Sequence, residues 1–373
     1  MKIAFTAPMK PLDHPVPSGD RTMGRLIVKA LENNGHDVRI ASTFRSWRKD
    51  GTDAIQRAVR SEALEEAGRV SAEWEAEGYR PDLFLTYHLY HKAPDWIGPA
   101  LCDRFALPYA VVEASRAPKR QTGNWAFGFA EADKALKRAD AVAAIHNADV
   151  ACLEPVVDPN RLQVLLPFLD ATPYQAVSKT PRAPASTPLK LLAVGMMRHG
   201  DKQRSFEVLA QALETLALQP WHLTLAGDGP AKDDVLALFP ADRITWLGAL
   251  PSDQLPGQYA AHDLLVWPAI REAFGLALLE AQASGTGVIA GDTFGVPDIV
   301  RNGETGLLSA EGDAALFAAN LKRVIEDPSL ADRLGRAARV HIAENHSMAA
   351  GAARLEELMQ RAIDTHRQRA LNP

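Results

Sequence analysis

Two successive runs of strand–helix alternation, parted by a stretch that fits neither, set the tightest limit on what this chain can fold into. In the first run KIAFTAP (2–8) is short, apolar and turn-bounded, as a buried strand is. A loop, MKPLDHPVPSGD, leads into the helical segment TMGRLIVKALENNG, and HDVRIAST (36–43) reads as the next strand. PDLFLTYH (81–88), LPYAVVEAS (107–115), DAVAAIH (140–146) and RLQVLLPF (161–168) continue the pattern, with helical stretches between them. Strands joined through helices imply a parallel sheet with helices on its faces. The run stops at ATPYQAVSKTPRAPASTPL (171–189), rich in proline, alanine, serine and threonine and without periodicity, which predicts an interdomain linker. Then the alternation restarts with KLLAVG (190–195), a helix over 204–218, HLTLAGDGP (222–230), RITWLGAL (243–250), LLVWP (264–268) and GTGVIAGD (285–292). At 373 residues the chain also exceeds a single core. The expected fold is α/β, two Rossmann-like domains whose parallel sheets face across a cleft. Their spans are 1–178 and 188–345, and the helical stretch 346–373 is expected to pack back on the N-terminal domain.

Composition narrows the partners. A net charge of −5 without a long basic block gives no reason to invoke nucleic acid. Cys102 and Cys152 form no CxxC or zinc pattern, so a reduced, cytoplasmic setting is the default. MKIAFTAPMKPL is too short an apolar run for a signal peptide, and no stretch approaches a membrane span. A peripheral contact at the inner face of the membrane stays open through RSWRK (45–49), although a solvated loop is the plainer reading of that segment.

The segment that points to chemistry is EAFGLALLE (272–280), an apolar run bracketed by two carboxylates. A helix beginning near Phe274 and closed by Gly285 would put Glu272 at its N-terminus and Glu280 inside it. Eight positions at about 100° each turn the two carboxylates roughly 80° apart, looking obliquely into one space. The helix N-terminus adds unpaired N–H groups and partial positive charge, an anion site. A ligand with an anionic middle and hydroxyl-rich ends fits, as a nucleoside-diphosphate sugar has. A helix cap and a solvated face are the alternative.

Glycine loops follow several predicted strands, at Gly19, Gly195, and Gly227 with Gly229, where backbone amides can approach a phosphate closely. Arg198, Lys202 and Arg204 lie just past Gly195 and supply positive charge. No G-x-G-x-x-G stands between a strand and its helix, and no Walker A, G-x-S-x-G or H-E-x-x-H sequence occurs. There is also no D-x-D to hold a divalent ion on a diphosphate, so side chains and helix termini must neutralise the phosphates.

In order and spacing, VGMMRHGDK, GDGP, AHDLLVWPAIREAFGLALLEAQASG and FGVPDIVRNGETGLL resemble the retaining glycosyltransferases of the GT-B fold, over residues 190–310. The first half is similar more loosely, through KIAFTAP, PSGD and LIVKALENNGHDV. The resemblance implies a hexosyltransferase-type enzyme that moves a sugar from a UDP- or GDP-linked donor to a small-molecule, glycan or lipid-linked acceptor. It implies front-face displacement with no metal or other cofactor. Glu280 would hold the ribose, Glu272 and His88 the donor sugar, and Lys202 and Arg198 the phosphates. The amides of Phe274, Gly275 and Leu276 would hold the diphosphate or sugar, and Gly19 would let the backbone close on the donor. Met196 stands where arginine is usual, Ser18-Gly19 replaces a double glycine, and Asp298 replaces a glutamate. For the acceptor, His91, Trp96, Arg116 and Trp125 place aromatic and basic groups in N-terminal loops. Two other functions use such a chain: a nucleotide-sugar epimerase, and a non-catalytic nucleotide-sugar-binding protein.

Overall fold

Among the described residues every strand runs parallel to its neighbours, in two six-stranded sheets. The computed structural model describes residues 1–16, 18–177, 188–273 and 275–371. Contacts divide the chain into one unit of residues 1–167 with 348–373, and a second of 168–347.

The first unit carries β1 (Lys2–Thr6), α1 (Gly19–Asn33), β2 (Asp37–Ser42), α2 (Asp53–Glu77), β3 (Leu83–Leu89) and α3 (Ile97–Phe105). It continues through β4 (Tyr109–Ala114), α4 (Ala126–Arg138), β5 (Ala141–Ala144), α5 (Val150–Leu153) and β6 (Leu162–Val164). Strand order is β2-β1-β3-β4-β5-β6. Central strands are covered on both faces, which is why β4 reads as an unbroken buried run rather than an alternating one. Local sequence sets the helix ends. Ser18 caps α1, its hydroxyl accepting the Arg21 amide at 3.3 Å, Thr52 caps α2 in the same way, and Gly78 ends α2 at φ +63°.

The second unit opens with α6 (Thr172–Ala176) and runs through β7 (Leu189–Val194), α7 (Asp201–Glu214), β8 (Trp221–Ala226), α8 (Lys232–Leu236), β9 (Ile244–Trp246) and α9 (Leu255–Ala261). Then come β10 (Leu264–Trp267), α10 (Leu276–Ala283), β11 (Gly287–Asp292), α11 (Val296–Ile299), β12 (Gly306–Ala310), α12 (Ala314–Glu326) and α13 (Ser329–Asn345). Strand order is β12-β11-β10-β7-β8-β9.

Three features differ from the sequence reading. The segment expected to be linker begins with α6, whose Tyr174 is buried in the core of the second unit, and 178–187 lies outside the described residues. The second sheet has a strand, β12, that the turn-rich sequence around it hid. Helix α10 starts at Leu276, four positions after Glu272, so the helical 80° separation does not apply.

The final helix, α14 (Met348–Leu371), packs in the first unit against α1, β4 and β5. Leu355, Leu358, Met359 and Ala362 are buried on it, and Arg369 reaches the fully buried Asp140 at 2.7 Å. Asp140 also accepts the Tyr109 amide at 3.0 Å, so the helix is tied into the start of β4.

Candidate functional site

In an open parallel sheet, ligands bind beyond the carboxyl ends of the strands where the strand order reverses. In the second unit the chain lays β8 and β9 on one side of β7 and then returns to lay β10 on the other, so the reversal falls between β7 and β10. Gly195 follows β7, and a Cβ there would sit 3.0 Å from the Trp267 ring at the end of β10. The loop after β8 crosses just as closely: a Cβ on Gly227 would fall 1.9 Å from the Gly195 carbonyl oxygen, and one on Gly229 2.3 Å from that of Met197. The three glycine amides are engaged. Gly195 donates to Ala226 O at 3.0 Å, Gly227 to Gly248 O at 2.8 Å, and Gly229 to the Asp228 carboxylate at 2.7 Å. Their contribution is therefore the close crossing of two loops, which sets where Lys202 begins its reach.

Lys202, in the first turn of α7, pairs with Glu272 through Oε2, and the Trp267 indole N–H donates to the same oxygen at 3.0 Å. The ammonium also stands 5.2 Å from the centroid of the Trp267 ring. One carboxylate oxygen is thus held by two donors. The loop that presents Glu272 is strained, with Ala269 at φ +57° and Arg271 at φ +50°. Ser205 anchors it from α7, its hydroxyl accepting the Ile270 amide at 3.0 Å. Past the loop, Gly275 opens α10 at φ +60°, a left-handed entry that suits glycine. No side chain caps α10, and the Leu276 and Ala277 amides find no partner among the described residues. Phe274 lies outside the described residues. Arg198 is exposed, its guanidinium without a partner among the described residues; Arg204 lies at the surface, 3.9 Å from Asp201.

Glu280, four residues into α10, meets two tyrosines. Tyr259 OH donates to its Oε2 at 2.7 Å, and Tyr174 bonds it from α6. Burial raises the Glu280 carboxyl above its ordinary value, and the two tyrosine bonds pull it back. Nothing in the sequence signalled this pair, because Tyr174 sits in the proline-rich segment and Tyr259 in an unremarkable helix.

In the first unit the reversal falls between β1 and β3. Gly19 is the first residue of α1, and Asp20 follows it. His88 near the end of β3 has φ +62°, and Glu113 near the end of the adjacent β4 has φ +57°. His88 Nδ1 lies 3.0 Å from Asp20 and 3.1 Å from Glu113. Among the described residues this is the one cluster of three groups bearing potential metal-ligating atoms. Nδ1 hydrogen-bonds the Asp20 carboxylate, and the Glu113 carboxylate stands beside the same nitrogen. Neither carboxylate was found from sequence. Glu113 sits in a strand, where an acidic residue followed by a left-handed turn leaves no pattern.

The acceptor candidates fare unequally. Trp96 donates its indole N–H to Glu131 at 2.7 Å, and Arg116 forms a two-pronged pair with Asp133 at 2.8 and 2.9 Å, so both are engaged inside the unit. His91 and Trp125 stand edge to face at 5.8 Å, with the Lys92 ammonium 5.1 Å from the Trp125 ring centroid. Burial, with Lys92, Arg120 and Lys119 nearby, pushes His91 down to about 4, so it is neutral at physiological pH. In RSWRK, Arg45 stacks 4.5 Å from Trp47 and donates to Met9 O. No described helix is long and apolar enough to cross a membrane.

Comparison with known proteins starts from the fold. Sucrose-phosphate synthase from Thermosynechococcus elongatus superposes with a TM-score of 0.73 at 21% identity, over 96% of this chain and 98% of that one. Anabaena Alr3699/HepE, solved in complex with UDP, gives 0.70 at 15% identity over 96% and 100%. The class is the GT-B fold, with two Rossmann-like domains. Residues 180–341 match the family "Glycosyl transferases group 1". A D-inositol 3-phosphate glycosyltransferase of Corynebacterium efficiens is 32% identical over 221 residues, 55% of this chain and 52% of that protein. The chain spans about half the length, or less, of the curated relatives it matches.

Proposed function

We propose that this protein transfers a sugar from a nucleoside-diphosphate sugar, UDP- or GDP-linked, to an acceptor hydroxyl with retention of configuration and without a metal ion. One observation carries the reading. At the strand-order reversal of the second sheet, Lys202, Trp267 and Glu272 meet beside the uncapped N-terminus of α10. An ammonium, the exposed guanidinium of Arg198 and helix amides without partners among the described residues suit a diphosphate. The doubly held Glu272 suits the hydroxyls of a sugar, and Glu280, oriented by two tyrosines, suits the ribose. The fold neighbour solved with UDP supports the choice of donor. The inositol phosphate relative supports a small polar acceptor.

On this reading catalysis is electrostatic. Charge grows on the leaving diphosphate as the sugar–oxygen bond lengthens, and Lys202, Arg198 and the α10 amides stabilise it there. The diphosphate oxygen takes the proton of the incoming hydroxyl on the same face. Glu272 fixes the sugar while its ring gains oxocarbenium character. The test incubates the protein with UDP-glucose or GDP-mannose and a panel of sugar, inositol and phosphorylated acceptors, and follows product by mass spectrometry and the anomeric carbon by NMR. An α-linked product from an α-linked donor supports the reading; an inverted product, or donor isomerised without acceptor, refutes it.

A further inference from the structure

The surroundings of His88, near the end of β3 in the first sheet, go further than the transferase reading does. The ring is 14% exposed, Asp20 21% and Glu113 7%. Both carboxylates address the same ring nitrogen, from α1 and from β4. His88 and Glu113 lie side by side where β3 and β4 pair, between the partners Tyr87–Val112 and Leu89–Ala114. Both are left-handed, a conformation that is strained in a residue other than glycine and persists only where the surroundings enforce it. The second ring nitrogen, Nε2, makes no hydrogen bond among the described residues. Nδ1 thus hydrogen-bonds Asp20 with the Glu113 carboxylate beside it at 3.1 Å, while Nε2 is left for something else.

We propose that Asp20 and Glu113 are positioning residues that hold His88 as an imidazolium, with its Nε2–H kept free to donate to an oxygen of the bound substrate. The inference rests on the transferase reading for what that oxygen belongs to, but not for the state of the ring. Burial alone would lower the histidine, and the Glu113 and Asp20 charges outweigh it and raise it to about 9. Burial pushes the Glu113 carboxyl up, and the His88 charge beside it pulls it back. Asp20, despite its burial, is held low by His88. The other groups facing the cluster are Asp149 from the turn before α5, Tyr87 and Tyr90 flanking His88, and Lys10 from a neighbouring loop, with Arg45 acting on Tyr90. The sign follows from linkage. A histidine whose folded value is raised adds stability that is complete below about pH 6.5 and lost as pH rises through about 9.

The test is a ring-nitrogen NMR titration of the whole protein labelled at histidine, with Asp20→Asn, Glu113→Gln and His88→Gln alongside. The His88 resonances, identified by their loss in His88→Gln, are expected to remain those of an imidazolium at pH 8. Asp20→Asn is expected to lower their midpoint by at least one pH unit, a tenfold loss of proton affinity. In turnover, the alkaline limb of kcat should move down with it in Asp20→Asn and shift in Glu113→Gln, with KM for donor little changed. A wild-type ring already neutral at pH 7.5 overturns the proposal, as does an alkaline limb unmoved in both carboxylate variants. Zn²⁺ or Mn²⁺ that binds stoichiometrically and displaces the Nδ1 proton also overturns it, making the cluster a cation site. If Asp20→Asn fails to fold, the native titration and Glu113→Gln decide. A native protein that transfers no sugar refutes the transferase reading, and the ring titration still judges this one.

Discussion

Replacing the two glutamates of EAFGLALLE one at a time separates nucleotide affinity from chemistry. Glu280→Gln keeps an acceptor for Tyr259 but removes the negative charge that ribose hydroxyls would meet. A hydrogen bond to a charged group is worth about 1.5–3 kcal/mol and a neutral one about 0.5–1.5, so each bond loses roughly 1–1.5 kcal/mol. UDP should then bind about 5- to 13-fold more weakly if one ribose hydroxyl is held, and about 30- to 160-fold if both are. Glu272→Gln acts on a different link. It takes the anionic partner from Lys202, which leaves the ammonium to the phosphates, so UDP affinity should not fall. Its cost should appear in kcat, by about 10²–10³ if the carboxylate orders the sugar as charge develops. Titration calorimetry with UDP and initial rates with the UDP-sugar read both effects. Equal losses of UDP affinity in the two variants would refute the division of roles, and two fully active variants would refute the site.

Lys202→Met should lower kcat on the order of 10²–10³, about 2.7–4 kcal/mol, and weaken UDP, with steady-state rates and calorimetry as the check. Turnover should survive EDTA; activity abolished by chelation and restored by Mn²⁺ would show that the phosphate charge is balanced differently. Gly227→Ala drives a methyl group to 1.9 Å from the Gly195 carbonyl, and such overpacking costs roughly 1–3 kcal/mol, so its melting temperature should fall measurably. UDP or GDP should raise the melting temperature more than ADP does, and NAD should not raise it.

The parallel sheets were legible because strands buried on both faces spell out continuous apolar runs such as YAVVEA, which stand out from amphipathic helices. GLLSA, β12, was not, because five residues behind a turn carry too little pattern. Glu272, Glu280 and Lys202 were candidates through the resemblance of their motifs, spacing alone leaving a helix cap and a solvated face open. Their geometry could not be read from sequence, since Lys202 and Glu272 are 70 residues apart and meet only where β7 and β10 lie together. The left-handed backbone at Ala269, Arg271, His88 and Glu113 has no signature in residues that are not glycine. Tertiary packing imposes it, and so the carboxylates around His88 emerged only from the structure.

The return of α14 to the first unit has a consequence for biogenesis. On the ribosome, residues 168–347 emerge as one continuous stretch and can complete their own sheet. The first unit cannot, because the 180 residues of the second unit come between residue 167 and the helix that covers α1, β4 and β5. At roughly 5–20 residues per second that is a wait of about 9–36 s with its apolar face uncovered. The N-terminal unit, first to be synthesised, is therefore last to be finished. A premature stop near residue 347 would release a whole second unit tethered to an open one, a natural client for chaperones and proteases.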